Sequence, residues 1–342
     1  MSAMKSTTAA KTTFDKKSMM TADEASALIK SGATLFVSGD ESLLAALPRG
    51  KWIGGTIPYF MSEDGGLCTH DKVQVVVLPD FVTGATVKLY DTGELSRIPG
   101  DYTVNGFSYI VIPAFSEAHQ KFAKECSTWP GTFDRPLVGW IAGIDLKDLG
   151  KVTPKVVSGV SGEVSASKAV VMHVELPADR YAEANIINLF RQGSGDTITF
   201  PSAGFEVTEC LVNGQKRCFA EYVEAEKINI QQPLVANYMG SMVNVSFQQV
   251  DAKAGKVALY APVFPGIDYK LADPMGDYEA EFRKEMEQND ITPLFTCNCV
   301  LNYLYANLEG KKTGHLVGPI TFGEIAYMLL NQTLVYLTFK QK

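Results

Sequence analysis

Cys297 and Cys299 stand one residue apart in Phe295-Thr296-Cys297-Asn298-Cys299. That spacing suits a reactive thiol or a pair of soft metal ligands. A zinc site needs about four ligands, and Cys68, Cys126, Cys210 and Cys218 supply no second pair of matching spacing. A thiol opening a helix has a lowered pKa and can serve as a nucleophile with a histidine as base. The plainer reading is two small residues closing a strand. Glu324 lies between Gly323 and Ile325 in an apolar neighbourhood. Burying a carboxylate is costly without a partner, so Glu324 either caps a loop or meets a ligand amine.

The histidines are His70, His119, His173 and His315, and none forms a His-x-x-x-His metal pair. Each reads as a surface or satisfied core residue, with haem ligation the exceptional alternative. Ser108 lacks the Gly-x-Ser-x-Gly elbow of a hydrolase. Gly193-Ser194-Gly195-Asp196 lacks the lysine of a phosphate-binding loop. No catalytic residue and no metal ligand is therefore assigned, and no cofactor is expected.

Patterning supplies the elements that would position these residues. Thr21 and Glu24 have capping-box spacing ahead of a helix that Gly32 stops. Ala33–Val37 reads as a strand, Glu41–Leu47 as a short helix, and Lys51–Tyr59 as a strand containing Gly54-Gly55. Val73–Leu78 is an apolar run suited to a strand buried on both faces. Tyr109–Ile112 is a strand, and Ser116 caps the helix carrying His119. Strands follow at Leu137–Ile144 and Ala169–Leu176. Asp179–Phe190 has helical spacing at Ala182, Ile186, Leu189 and Phe190. Further on, Phe205–Val212 is a strand ending in the turn Asn213-Gly214. A helix follows at Phe219–Glu226, then a hairpin, Val243–Val250 with Lys256–Pro262, and an amphipathic helix at Asp277–Gln288. This alternation specifies an α/β protein with mixed, largely antiparallel sheets covered by helices.

Composition narrows the function classes. The 342 residues are 46% hydrophobic and 20% charged, with net charge −7. The length fits two domains of roughly 150 residues each. A nucleic-acid binder carries a basic face, and no Lys/Arg cluster occurs here. No stretch reaches the roughly 18 apolar residues of a membrane span. Scattered cysteines suit a reducing cytosol. Residues 1–17 are rich in Ser, Thr, Ala and Lys, without an apolar core, and read as a disordered tail rather than a signal peptide.

The two halves echo one another. Leu35-Phe36-Val37, a turn, a Leu-rich helix and Trp52-Ile53-Gly54-Gly55-Thr56 parallel Leu294-Phe295-Thr296, a turn, a second Leu-rich helix and Leu316-Val317-Gly318-Pro319. Chance and duplication both remain open explanations. Duplication would give two related α/β domains about a pseudo-two-fold, 18–203 and 204–342.

The C-terminal string carries a family resemblance. Leu294-Phe295-Thr296-Cys297-Asn298, Gly318-Pro319-Ile320-Thr321-Phe322-Gly323-Glu324-Ile325 and Asn331-Gln332-Thr333-Leu334 resemble the end of FIST domains. Asn213-Gly214 with Ala220, Tyr222 and Val223 is similar to the opening of the FIST C-terminal domain, and Trp52–Thr56 to a string of the N-terminal one. Cys299-Val300 stands where the family has Gly-Arg, so no arginine lies nearby in the sequence to pair a carboxylate.

The resemblance implies a cytoplasmic, non-catalytic sensor that binds a small molecule and signals through a separate protein. Its pocket would be lined by Gly54, Gly55 and Thr56 from one half and by Cys297, Asn298, Gly318 and Glu324 from the other. A haem-binding gas sensor and an enzyme using Cys297 or Cys299 are the alternatives.

Overall fold

A computed structural model describes residues 18–238, 240–287 and 292–342. The expected tail, 1–17, lies outside the described residues. The chain is mixed α/β, built from a unit that occurs three times.

The first unit begins with β1 (Met19–Met20) and α1 (Ala22–Lys30). The Thr21 hydroxyl accepts from the Glu24 N–H, and the Glu24 carboxylate accepts from the Thr21 N–H, as the capping-box spacing predicts. Next come β2 (Leu35–Gly39), α2 (Glu41–Ala46) and β3 (Trp52–Thr56), with β2 and β3 parallel. The hairpin β4 (Tyr59–Ser62) and β5 (Gly65–Cys68) follows, then β6 (Val73–Val77) antiparallel to β2.

The second unit repeats this order. It has β7 (Gly84–Tyr90), a 3₁₀ segment (Thr92–Asp101), β8 (Gly106–Pro113), α3 (Glu117–Glu125) and β9 (Leu137–Ala142), then the hairpin β10 (Val156–Ser158) and β11 (Glu163–Ser165), then β12 (Ala169–Glu175). β8 and β9 are parallel, and β12 is antiparallel to β8.

The third unit opens with β13 (Arg180–Ile187), and an insertion follows. The insertion contains β14 (Ile198–Thr199), β15 (Gly204–Val207), β16 (Glu209–Val212), β17 (Gln215–Cys218), α4 (Phe219–Ala225), β18 (Leu234–Tyr238), β19 (Ser241–Val245), β20 (Phe247–Asp251), β21 (Lys256–Val263) and β22 (Tyr269–Leu271). The unit then resumes with α5 (Tyr278–Glu287), β23 (Phe295–Cys299), α6 (Val300–Tyr305) and β24 (Gly318–Thr321), the hairpin β25 (Glu324–Ala326) and β26 (Met328–Leu330), and β27 (Leu334–Gln341). β23 and β24 are parallel, and β27 is antiparallel to β23.

Each unit lends strands to its neighbours. The sheet orders are β1-β6-β2-β3-β10-β11, β26-β25-β9-β8-β12-β7 and β13-β27-β23-β24-β4-β5. Every hairpin thus extends the preceding unit's sheet in cyclic order, and every leading strand sits at the edge of its own unit's sheet, paired with that unit's last strand. The two echoing strings are equivalent β-α-β pieces, and β8-α3-β9 is a third. The internal relation is three-membered rather than two-fold. Ladders β4–β24, β9–β25 and β13–β27 all cross the boundary expected at 203/204. Hydrogen bonding therefore ties residues 18–187 to 295–341, and the strands of 198–271 pair among themselves.

Phe36, Tyr109 and Phe295 occupy the same position in the first strand of each parallel pair. Phe36 stacks on Tyr109 at 3.7 Å between ring centres, and Tyr109 meets Phe295 edge-on at 4.8 Å. All three are at most 2% exposed. They form a buried aromatic plug where the sheets converge, and Trp140 Nε1–H donates to the Tyr109 hydroxyl at 2.6 Å. Edge and stacked contacts of this kind add to the area term.

Two local expectations are corrected. Asp179–Phe190 is not a helix, because Arg180–Ile187 pairs along its whole length with β27, from Arg180↔Gln341 to Ile187↔Leu334. Non-local pairing outweighs the helical spacing of its alanines and isoleucine. The strand expected over 205–212 is two strands, interrupted at Thr208. Asn213-Gly214 does turn the chain, with φ +50° and +81°, between β16 and β17. The helix expected at Phe219 follows immediately.

Candidate functional site

In open α/β sheets, ligands collect outside the carboxyl ends of parallel strands. Here those ends are the turns before α2, α3 and α6, and two cavities open beside them.

The first cavity lies between the turns preceding α3 and α6. Ala114, Phe115 and His119 come from the second unit, and Cys299, Val300 and Leu301 from the third. Leu146, Leu149 and Phe322 add apolar wall, and Tyr260 comes from the insertion. The turn is set by Ser116, whose hydroxyl donates to the Pro113 carbonyl and accepts the His119 N–H. This cap fixes the first turn of α3. The His119 Nδ1 accepts the Phe115 N–H at 3.3 Å, so Nε2 carries the proton. Burial pushes its pKa down to about 4, so the ring is neutral at neutral pH. Its Nε2 is buried without a hydrogen-bond partner. Asn331, in the turn between β26 and β27, also lines this cavity. Its amide donates to the Leu330 carbonyl at 3.1 Å, and its Oδ1 is buried without a partner. A buried polar atom left unpaired costs about 1–3 kcal/mol.

Behind Cys299 lies Glu324, 0% exposed. Its Oε2 accepts the Thr333 N–H at 3.2 Å and the Thr333 hydroxyl at 2.8 Å, and the Thr321 hydroxyl lies 3.5 Å from Oε1. Burial pushes the carboxyl up to about 8, against the pull of hydrogen bonds from Thr333, Cys299 and Thr321. The lowered thiol pKa expected at a helix start does not occur. Burial holds Cys297 and Cys299 well above the ordinary range, and Glu324 pushes both further up. At neutral pH these thiols are protonated and poor nucleophiles.

The residues expected to share one pocket separate into three places. Cys297, Asn298 and Glu324 are brought together in the buried cluster. Cys297 Sγ lies 3.5 Å from the Gly139 carbonyl, and Asn298 Oδ1 accepts from the Cys299 N–H and the Asn302 amide. Gly54 and Gly318 face neighbouring backbone instead of a ligand. A Cβ would fall 2.2 Å from the Val37 carbonyl oxygen at Gly54, and 2.1 Å from the Thr296 carbonyl oxygen at Gly318. Gly55 packs toward Val111, Trp140 and Ala142. Thr56 donates to the Gly143 carbonyl at 2.8 Å and lines the second cavity.

Two other sequence candidates are structural. Ser108 and His173 are paired across β8 and β12, both 1% exposed, with 2.8 Å between Ser108 Oγ and His173 Nδ1. Asp196 is spent on Asn213 and Tyr222.

The second cavity is open to solvent and bounded by Asp40, Thr56, His70 and Asp145. From sequence, Cys68 and His70 read as a thiol without a matching pair and a surface or core histidine. Their spacing, Cys-x-His, was the available signal, but Asp145 arrives from 75 positions away. His119 and Asn331 were likewise unpaired only by virtue of the fold.

The fold and these cavities define a three-unit mixed α/β protein with a long β-rich insertion. The chain belongs to the family of unknown function DUF6976, whose model matches residues 20–340 and so spans the units and the insertion together. Among curated proteins, none matches the chain.

Proposed function

We propose that this chain is a non-catalytic, cytoplasmic small-molecule sensor of FIST type, and that its ligand is neutral and enters the cavity between α3 and α6. The observation that carries this reading is the pair of buried, unpartnered atoms on one apolar cavity, His119 Nε2 and Asn331 Oδ1. One offers a proton and the other accepts one. An amide or lactam supplies the matching acceptor and donor on an apolar body.

Charge supports the neutral class. His119 is neutral by burial, and Glu324 and Cys299 are held toward their protonated forms. A charged ligand would enter an apolar wall with no opposite charge to meet it. The raised thiols argue against the cysteine-enzyme alternative. The FIST resemblance supports signalling through a separate protein. No helix among the described residues is long and apolar enough to cross a membrane.

A thermal-shift panel of neutral amides, lactams, carboxylates and amines tests the reading. At least one neutral amide or lactam is expected to raise the wild-type melting temperature. His119→Phe should abolish that shift while staying close to wild type in stability, since the loss of the bond from the Phe115 N–H is offset by removal of the unpaired Nε2. A panel in which only charged compounds shift the melt, or a shift that His119→Phe leaves intact, overturns it.

A further inference from the structure

The geometry points to a divalent-metal site of zinc type at Cys68, His70 and Asp145, on the rim of the second cavity and separate from the ligand cavity above. Cys68 and His70 stand at the end of β5, and Asp145 on the loop leaving β9. Cys68 Sγ, a His70 ring nitrogen and an Asp145 carboxylate oxygen all lie within 4.8 Å of one another. Around a tetrahedral zinc, with bonds of about 2.0–2.3 Å, ligand atoms stand on the order of 3.5 Å apart. Small side-chain movements close the difference, and Cys68 and His70 are both exposed enough to make them.

The surroundings match what orients metal ligands elsewhere. His70 Nδ1 is held by Asp40 Oδ2 at 2.5 Å, which turns Nε2 toward Asp145 Oδ2 at 3.2 Å. A carboxylate behind a ligating histidine fixes its ring and tautomer in this way. Asp40 precedes α2 as its N-cap residue, yet its side chain makes no capping hydrogen bond. Its carboxylate is committed to His70 instead. Asp145 is oriented too. Its Oδ1 accepts the Tyr59 hydroxyl at 3.1 Å and the Lys147 N–H at 3.1 Å, leaving Oδ2 directed at His70.

Positive charge already gathers where the ion would stand. Lys147 Nζ lies 2.7 Å from Asp145 Oδ2, and its side chain is 68% exposed. The metal replaces this ammonium on Asp145, takes the place of the proton on His70 Nε2 and displaces the thiol proton of Cys68, so both protons pass to solvent. Three protein ligands leave one coordination position open toward the cavity, the arrangement in which zinc holds water or a small ligand.

The test uses the full chain, stripped with chelator and titrated with Co²⁺, then with Zn²⁺ as competitor. One equivalent of Co²⁺ is expected to produce a thiolate-to-cobalt charge-transfer band and tetrahedral d–d bands, both removed by Zn²⁺. Cys68→Ser should abolish the charge-transfer band, while Cys218→Ser leaves it. Asp40→Asn should weaken binding about tenfold without changing the spectrum, and Lys147→Ala should strengthen it. Circular dichroism checks that each variant is folded. Substoichiometric binding, or a charge-transfer band that survives Cys68→Ser, overturns the site.

Discussion

Raising the pH from about 6.5 to about 8 is expected to lower the wild-type unfolding free energy, and Glu324→Gln is expected to remove about 2 kcal/mol of that fall. The folded-state pKa of Glu324, about 8, lies above its ordinary value of 4.5 because the carboxyl is wholly buried. Between those values the folded chain holds a proton that the unfolded chain has lost. Stability from this group is therefore complete below about 4.5 and disappears as the pH rises through about 8. The upper window isolates the effect. His119 and His173 are pushed down from 6.5 to about 4 by burial, and they add stability as the pH rises through that lower range. His70 is raised, chiefly by its hydrogen bond to Asp40, and loses stability in the same direction as Glu324. Comparing wild type with Glu324→Gln cancels the histidines. Urea unfolding at several pH values measures the difference, and a gap that does not change with pH would falsify the assignment. Glu324→Ala is a different matter. It strands the Thr333 N–H and the Thr333 and Thr321 hydroxyls, so it reports on stability more than on ligand affinity.

Gly139→Ala is expected to cost more than about 4 kcal/mol and to deplete soluble protein. A Cβ there would stand 1.8 Å from the Ile110 carbonyl oxygen, inside the central parallel pair of the second unit. Neither backbone can retreat without breaking the β8–β9 ladder. Gly54 and Gly318 hold the same position in their own units and should behave alike. Gly93→Ala is the control. A Cβ at Gly93 meets nothing within 4 Å, so the change should stay within about 0.5 kcal/mol. Urea midpoints and soluble yields settle the comparison, and a wild-type midpoint for Gly139→Ala would show that the strands have room.

These glycines show how much the sequence discloses. Gly54 and Gly318 stood out because each follows a β-α segment of similar composition, and both segments form equivalent units. Their meaning was misread, since glycine in a strand marks close approach by a backbone as well as by a ligand. The unit at 106–142 escaped notice for two local reasons. Trp140 follows its glycine where Gly55 and Pro319 follow the others, and Pro113–Ser116 lengthens the turn before its helix. The α/β class, the caps at Thr21 and Ser116 and the Asn213-Gly214 turn were legible because short-range hydrogen bonds decide them. Arg180–Ile187 was illegible because its partner strand lies some 150 positions later. The same distance hid the sites. His119 and Asn331 line one cavity, and Cys68 and Asp145 come within 4.8 Å, only once the units have exchanged strands.

That exchange bears on how the protein opens. No unit can detach without breaking ladders in its neighbours' sheets, so partial unfolding of one unit alone is unfavourable. Native-state hydrogen exchange should find the amides of β2, β8 and β23 released together, in a single global event. The insertion is joined to the rest by side-chain packing and a few polar contacts, so its amides can exchange earlier. The body of the fold would then act as one cooperative block, with the insertion as the part free to respond.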